Sequence, residues 1–254
     1  MLDIHLSTIG ENAGALARQY GLGVEVADFS YAVNMDTDFA YWEQLTLANL
    51  DGVAHRVLHA PYNELCPAAV EPLVQEVTRR RLDQAYQVMR HFGIHRMVVH
   101  SGYFPGFYYR EWFTARSVEF WRAYLKDKDP DFQLLLENVL EEGPEMLIDI
   151  IEQTGDERLQ FCLDIGHAEG LFSKQPVTDW IAATAPHIRH VHVHNNYHTG
   201  DAHNPPGDGL INIRAALLSI SALQPLATYT AETSALEASV EWFLQQGFIS
   251  GAKS

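Results

Sequence analysis

The chain of 254 residues is short of lysine: Lys126, Lys128, Lys174 and Lys253 are its only four. Lys and Arg together number 17 against 33 Asp and Glu, a formal net charge of −16. Nucleic-acid binders present a basic stripe that displaces counterions from phosphates. None is visible, so the composition argues against a nucleic-acid partner. Cysteine is scarcer still. Cys66 and Cys162 are too few for a disulfide framework, which makes a reducing cytoplasm the expected compartment. Also missing is any apolar run of about twenty residues, the length a membrane helix needs. The opening "MLDIHLSTIGENAG" has neither the basic nor the apolar region of a signal peptide. No linker-like or low-complexity tract and no close repeat divides the chain, so one domain over residues 1–254 is expected.

What is present is a core and a rhythm. Hydrophobic residues at 47% and charged residues at 20% suit a globular protein with a sizeable interior. Short runs rich in Val, Ile and Leu alternate with longer amphipathic segments. Strands are expected near 2–8, 23–29, 55–62, 96–102, 132–139, 159–167, 188–195 and 226–233. The clearest helix between them runs from Val70 to Phe92. Another, "EGPEMLIDIIEQTG" (142–155), opens with Pro144 near its first turn and stops at Gly155. Eight strand–helix units in this length describe an α/β fold, the single-domain (β/α)8 TIM barrel. The strands read as near-continuous apolar runs, as in a parallel sheet buried on both faces. The helix near 111–125 suits either the outer layer of the barrel or a contact between copies of the chain. A homo-oligomer is therefore left open.

Chemistry in such a barrel gathers at the C-terminal ends of the strands. Six strands carry ionisable residues there. "HRVLHAPY" holds His59, "RMVVHSG" holds His100, "FQLLLENV" carries Glu137, and "LQFCLDIGHA" carries Asp164 and His167. "IRHVHVHNN" puts His190, His192 and His194 on one face by its period of two. Asp201 and His203 follow in the next loop, and "LATYTAETS" carries Glu232. Taken singly, each has a plain structural explanation: a hydrogen-bonded core histidine, a carboxylate paired to arginine, or, for Asp164, a helix cap. Together they are too many buried charges to leave without a cation. Mixed imidazole and carboxylate ligands suit Zn2+ or Mn2+, with Fe2+ and Co2+ also compatible, rather than Ca2+. A divalent metal site is the expectation.

The motifs "HAPY", "VVHSG", "LLLENV", "CLDIGHA", "HVHVHNN" with "DAHNPPGDG", and "TAETS" occur in the order found in the xylose isomerase-like TIM barrel superfamily. The chain resembles that group from about Ile4 to Phe248. It includes sugar isomerases and epimerases, and also endonuclease IV. The resemblance to endonuclease IV implies nine metal ligands for up to three ions. They fall on His59, His100, Glu137, Asp164, His167, His192, Asp201, His203 and Glu232. His192 is placed as the strand-seven ligand, with His194 as the alternative. The family pattern there has Asp where this chain has Asn195, which alters the partner of a ligand. His190 and His194 otherwise read as supporting groups, and His187 and His198 as solvated. "NPPGDG" reads as a rigid turn in which Asp208 has an orienting role.

Two chemistries compete. A sugar isomerase or epimerase would hold one metal with Glu137, Asp164, His192 and Glu232, the set that the resemblance implies. Glu137 and Glu232 would exchange protons at adjacent carbons, while His167 would hold a substrate oxygen. The loop "SGYFPGFYYREWF" packs seven aromatics between Tyr103 and Phe113, with Gly102 and Gly106 as hinges. Tyr103, Phe104 and His194 are the expected contacts to a small-molecule substrate. A multinuclear phosphoesterase is the alternative. It gives work to His59, His100, Asp201 and His203, and Tyr62 matches a position near the sugar in endonuclease IV. A metal-dependent sugar-binding module is the third class, and needs fewer carboxylates. The compact acidic chain and the aromatic loop tip the sequence narrowly toward the isomerase.

Overall fold

The computed structural model describes residues 1–252. All eight expected strands are present, as β1 (Asp3–Ser7), β2 (Gly23–Val26), β3 (Arg56–His59), β4 (Arg96–His100), β5 (Gln133–Glu137), β6 (Leu159–Asp164), β7 (Ile188–Val193) and β8 (Thr228–Ala231). Each pairs in parallel with its sequence neighbours, and β8 returns to β1 to close the barrel. Helices follow every strand, so the (β/α)8 architecture stands. None of these helices, among the described residues, is long and apolar enough to cross a membrane.

Local chemistry sets the element ends. The helix Pro72–His91 starts where the Glu71 carboxylate accepts from the Leu73 N–H at 3.1 Å, with proline in the first turn. The helix Glu145–Thr154 stops at Gly155, whose φ of 68° is left-handed and costs glycine little. β6 ends sooner than its apolar run because Asp164 turns the chain. Its carboxylate accepts from the His167 N–H at 2.6 Å and caps a single helical turn, Ile165–Ala168. The helix Arg110–Leu125 buries Phe113, Phe120, Trp121 and Tyr124 in the outer layer.

The strands are not uniformly apolar, which corrects the expectation for a sheet buried on both faces. Outward residues such as Leu6, Val24, Leu58, Leu136 and Val191 join the helices in one core. Inward, Val57, Val98, Leu135 and Cys162 form a small separate cluster. The rest of the interior includes His5, Glu25, His59, Glu137, Asp164, His190, His192 and Thr230, all buried. Glu25 on β2 bonds His190 on β7 at 3.0 Å, a contact between non-adjacent strands that only the barrel interior allows. Beside that small aliphatic cluster, the lumen is filled by a hydrogen-bonded polar layer.

Candidate metal centre

The nine candidate positions converge at the C-terminal mouth of the barrel, because each is a strand's last residues or the loop directly after it. They fall into three adjoining donor sets. In the first, the Nε2 atoms of His59 and His100 lie 3.4 and 3.3 Å from Glu137 Oε2. In the second, His192 Nδ1 lies 3.1 Å from Glu137 Oε1, 3.2 Å from Glu232 Oε2 and 3.8 Å from Asp164 Oδ2. In the third, the Nε2 atoms of His167 and His203 lie 3.3 and 3.1 Å from Asp201 Oδ1. Each set offers donor atoms within 4.8 Å of one another. These sets can chelate divalent metal.

Main-chain carbonyls orient three of the rings. The Nδ1–H of His59 donates to Ala60 O at 2.9 Å, that of His167 to Asn138 O at 2.9 Å, and that of His203 to Glu232 O at 2.8 Å. Each bond leaves Nε2 facing the centre as the nitrogen that can ligate once it has lost its proton. Four buried atoms of the centre find no hydrogen-bond partner: Glu137 Oε2, His167 Nε2, His194 Nδ1 and Glu232 Oε2. Native interiors rarely leave such groups unpaired. Orphaned nitrogen and oxygen donors converging at one mouth of the barrel are what a divalent metal would satisfy, so the residues fit the group.

Electrostatics follow the same pairing. Burial opposes charge on Glu137, but the imidazoles of His192 and His100 override it and hold the carboxyl well below its usual range. Burial likewise opposes charge on His167, yet Asp164 and Asp201 raise it well above the ordinary histidine value. His203 is raised to about 9 against burial by its bond to Asp201 and by Glu232.

A cavity of about 590 Å³ opens onto this centre, in the range of small-molecule sites. His59, His100, Glu137, His167, Asp201, His203 and Glu232 form its floor. Tyr62, Tyr103, Phe104 and Tyr108 line its walls. Tyr62 stacks on His100 at 4.2 Å between ring centroids. Of the remaining aromatics of that loop, Phe113 is buried in the core, whereas Phe107 and Tyr109 point to solvent. No arginine or lysine is among the described residues that line the cavity.

Several residues sit differently from their sequence reading. His194 lies just past the end of β7 and lines no part of the cavity. It joins the third donor set, with Nε2 3.0 Å from Asp164 Oδ1 and its ring stacked on His203 at 4.0 Å. Asn195 does not support His192. Its amide donates to Pro206 O and Ile211 O, and its oxygen accepts from the N–H groups of Asn196 and Ile211. It organises the "NPPGDG" loop, where Asp208 accepts from the Tyr197 hydroxyl. His198 is exposed, but His187 is only partly so and lies 3.2 Å from Glu152. Glu25 escapes the sequence reading altogether. Its only signal is a lone carboxylate between valines in "GVEV", at the position a period of two turns inward.

A closed (β/α)8 barrel with His, Asp and Glu grouped at its C-terminal mouth defines a class of metal-binding TIM barrel proteins. The chain belongs to the xylose isomerase-like TIM barrel family, whose model matches residues 15–243. It is similar to protein MJ1311 of Methanocaldococcus jannaschii, 26% identical over 178 residues, which is 61% of this chain and 56% of that one. The match thus spans little more than half the length of that relative. Among solved structures it is similar to the TTHB071 protein of Thermus thermophilus soaked with ZnCl2. Identity is 25%, the TM-score is 0.77, and 97% of this chain and 98% of that one are covered. It also shares its fold with a D-tagatose 3-epimerase-like protein, at 20% identity, TM-score 0.75 and 94% coverage of both chains.

Proposed function

We propose that the protein is a multinuclear metal-dependent hydrolase of small phosphoesters. One observation carries the reading: the two oxygens of Glu137 face different donor sets, Oε2 toward His59 and His100 and Oε1 toward His192. A carboxylate placed in this way could serve cations in both sets. Glu137 would then be committed on both oxygens and poorly suited to shuttle a proton. His59, His100 and Glu137 would hold one ion, Glu137, Asp164, His192 and Glu232 a second, and His167, Asp201 and His203 a third. When bound, such ions supply Lewis acidity and a water that is deprotonated near neutral pH.

The chain's own groups would do the rest. Burial, with nearby Tyr31 and Glu232, raises the Tyr62 phenol, so it stays protonated and can donate to an ester oxygen. Tyr103, Phe104 and Tyr108 wall the cavity against bulk water. With no arginine or lysine among the described residues of the lining, a phosphate would be held mainly through the ions, which suits a small ester better than a nucleic acid.

The second reading is a sugar isomerase or epimerase. It draws on the positions of Glu137 and Glu232, both within 3.2 Å of His192 Nδ1, as two carboxylates around a single ion. Metal content per chain separates the readings. About three ions, with turnover of bis(p-nitrophenyl) phosphate that chelation abolishes and zinc restores, is the expected result. About one ion together with ketose epimerisation would overturn it.

A further inference from the structure

His192 breaks the pattern of its neighbours. His59, His167 and His203 give Nδ1 to a backbone carbonyl and face the centre with Nε2, whereas His192 faces it with Nδ1. Its Nε2 points down into the barrel, 3.2 Å from Glu25 Oε1 and 3.3 Å from Oε2. Glu25 is fully buried. We propose that a directional hydrogen-bond relay from Arg96 through Thr228, His190 and Glu25 holds a proton on His192 Nε2, so that Nδ1 is the nitrogen given over to metal. The proposal rests on the metal-binding reading of this set and not on the choice of reaction.

The direction follows from what each group is able to do. Arg96 only donates, and its Nη1–H reaches Thr228 Oγ1 at 2.7 Å. The threonine oxygen therefore accepts, and its single proton goes to His190 Nδ1 at 2.6 Å, far closer than the Arg189 carbonyl at 3.5 Å. With Nδ1 accepting, His190 carries its proton on Nε2 and shares it between Glu25 Oε2 at 3.0 Å and Thr230 Oγ1 at 2.9 Å. The Thr230 hydroxyl donates to Glu25 Oε2 at 2.8 Å. A carboxylate only accepts, so the His192 nitrogen facing it must also bear hydrogen. Strands β2, β4, β7 and β8 each contribute a residue to the relay. Glu25 is thus a positioning residue that acts on the centre through His192.

Long-range 1H–15N imidazole spectra of the zinc-loaded protein read the outcome directly. A proton on His192 Nε2 with a metal-shifted Nδ1 is expected, and the reverse arrangement overturns the proposal. Zinc competition against a chromophoric chelator tests whether the relay matters. Glu25→Gln, which puts an amide donor against these N–H groups, should weaken the set holding His192 by about 10–100-fold. Ions at His167, Asp201 and His203 should stay. In a His192→Ala background, Glu25→Gln should change zinc affinity less than about twofold, having nothing left to act through. Equal losses in both backgrounds would mark a merely structural role and overturn it. Thr228→Val probes the base of the relay should Glu25→Gln not fold; unchanged zinc affinity there would also count against it. A protein that takes up no zinc in elemental analysis fails the metal reading itself, and the proposal with it.

Discussion

The imidazole of His194 occupies the space that a side chain at Gly166 would fill: a Cβ there would come within 2.0 Å of His194 Cε1. The ring is fully buried and bonds Asp164, so it has little room to retreat. Gly166→Ala is therefore expected to cost about 1–3 kcal/mol by overpacking. Urea denaturation reads this, and wild-type stability in the variant would show that the ring moves aside freely.

Glu137→Gln removes a charge that two donor sets share. Metal content should fall by up to two ions per chain, while the ion at His167, Asp201 and His203 is kept. Loss of a group that merely supports a ligand weakens metal binding about 10–100-fold, so loss of Glu137 should exceed about 100-fold. Elemental analysis and chelator competition test both statements. Full occupancy in the variant would refute the bridging role.

Acid should loosen the fold through two histidines that are buried neutral. Burial, the largest cause, pushes His5 down to about 4 and His190 down to about 3. Both folded values lie below the roughly 6.5 of an unfolded histidine. Their stabilisation is therefore complete above that pH and is lost as pH falls from it toward the folded values. Each contributes a slope of at most about 1.4 kcal/mol per pH unit. His5→Gln should flatten the dependence between roughly pH 6.5 and 5 by up to one such slope. Parallel pH profiles for the two proteins would contradict the assignment.

Asn195→Asp would restore the acid that the family pattern carries, yet it should destabilise this chain. The amide donates to two carbonyls, Pro206 O and Ile211 O, and a carboxylate would face both without a proton. We expect a loss of about 2–4 kcal/mol. A melting temperature equal to that of the wild type would be the contrary result.

Strand order and the ionisable residues at the strand ends are legible in the sequence because they follow from local signals, namely period-two patterning and polar residues at the ends of apolar runs. The choice of nine among them as candidate ligands comes instead from the resemblance to endonuclease IV. Glu25 is not legible, because its burial depends on His190 and Thr230 arriving from β7 and β8 across the lumen. His194 is legible only in part. The period of two places it with His190 and His192, but β7 ends at Val193 and the next residue turns toward His203. Asn195 reads as a substituted partner of a ligand, and only the return of the loop onto it reveals that its amide is used on two carbonyls. In each case the missing information is long-range.

The donor sets described above are also a reservoir of hydrogen ions. Against burial, His59, His167 and His203 are held above their ordinary values by the carboxylates around them, and His192 by Cys162 and then by Glu232, Glu25 and Glu137. Each must be stripped before it can ligate. Uptake of cations is thus an exchange, in which the emptied centre is neutralised by hydrogen ions and the filled one has expelled them into the medium. The protein should acidify a weakly buffered solution as it loads, and should release its cations again as the surroundings turn acid.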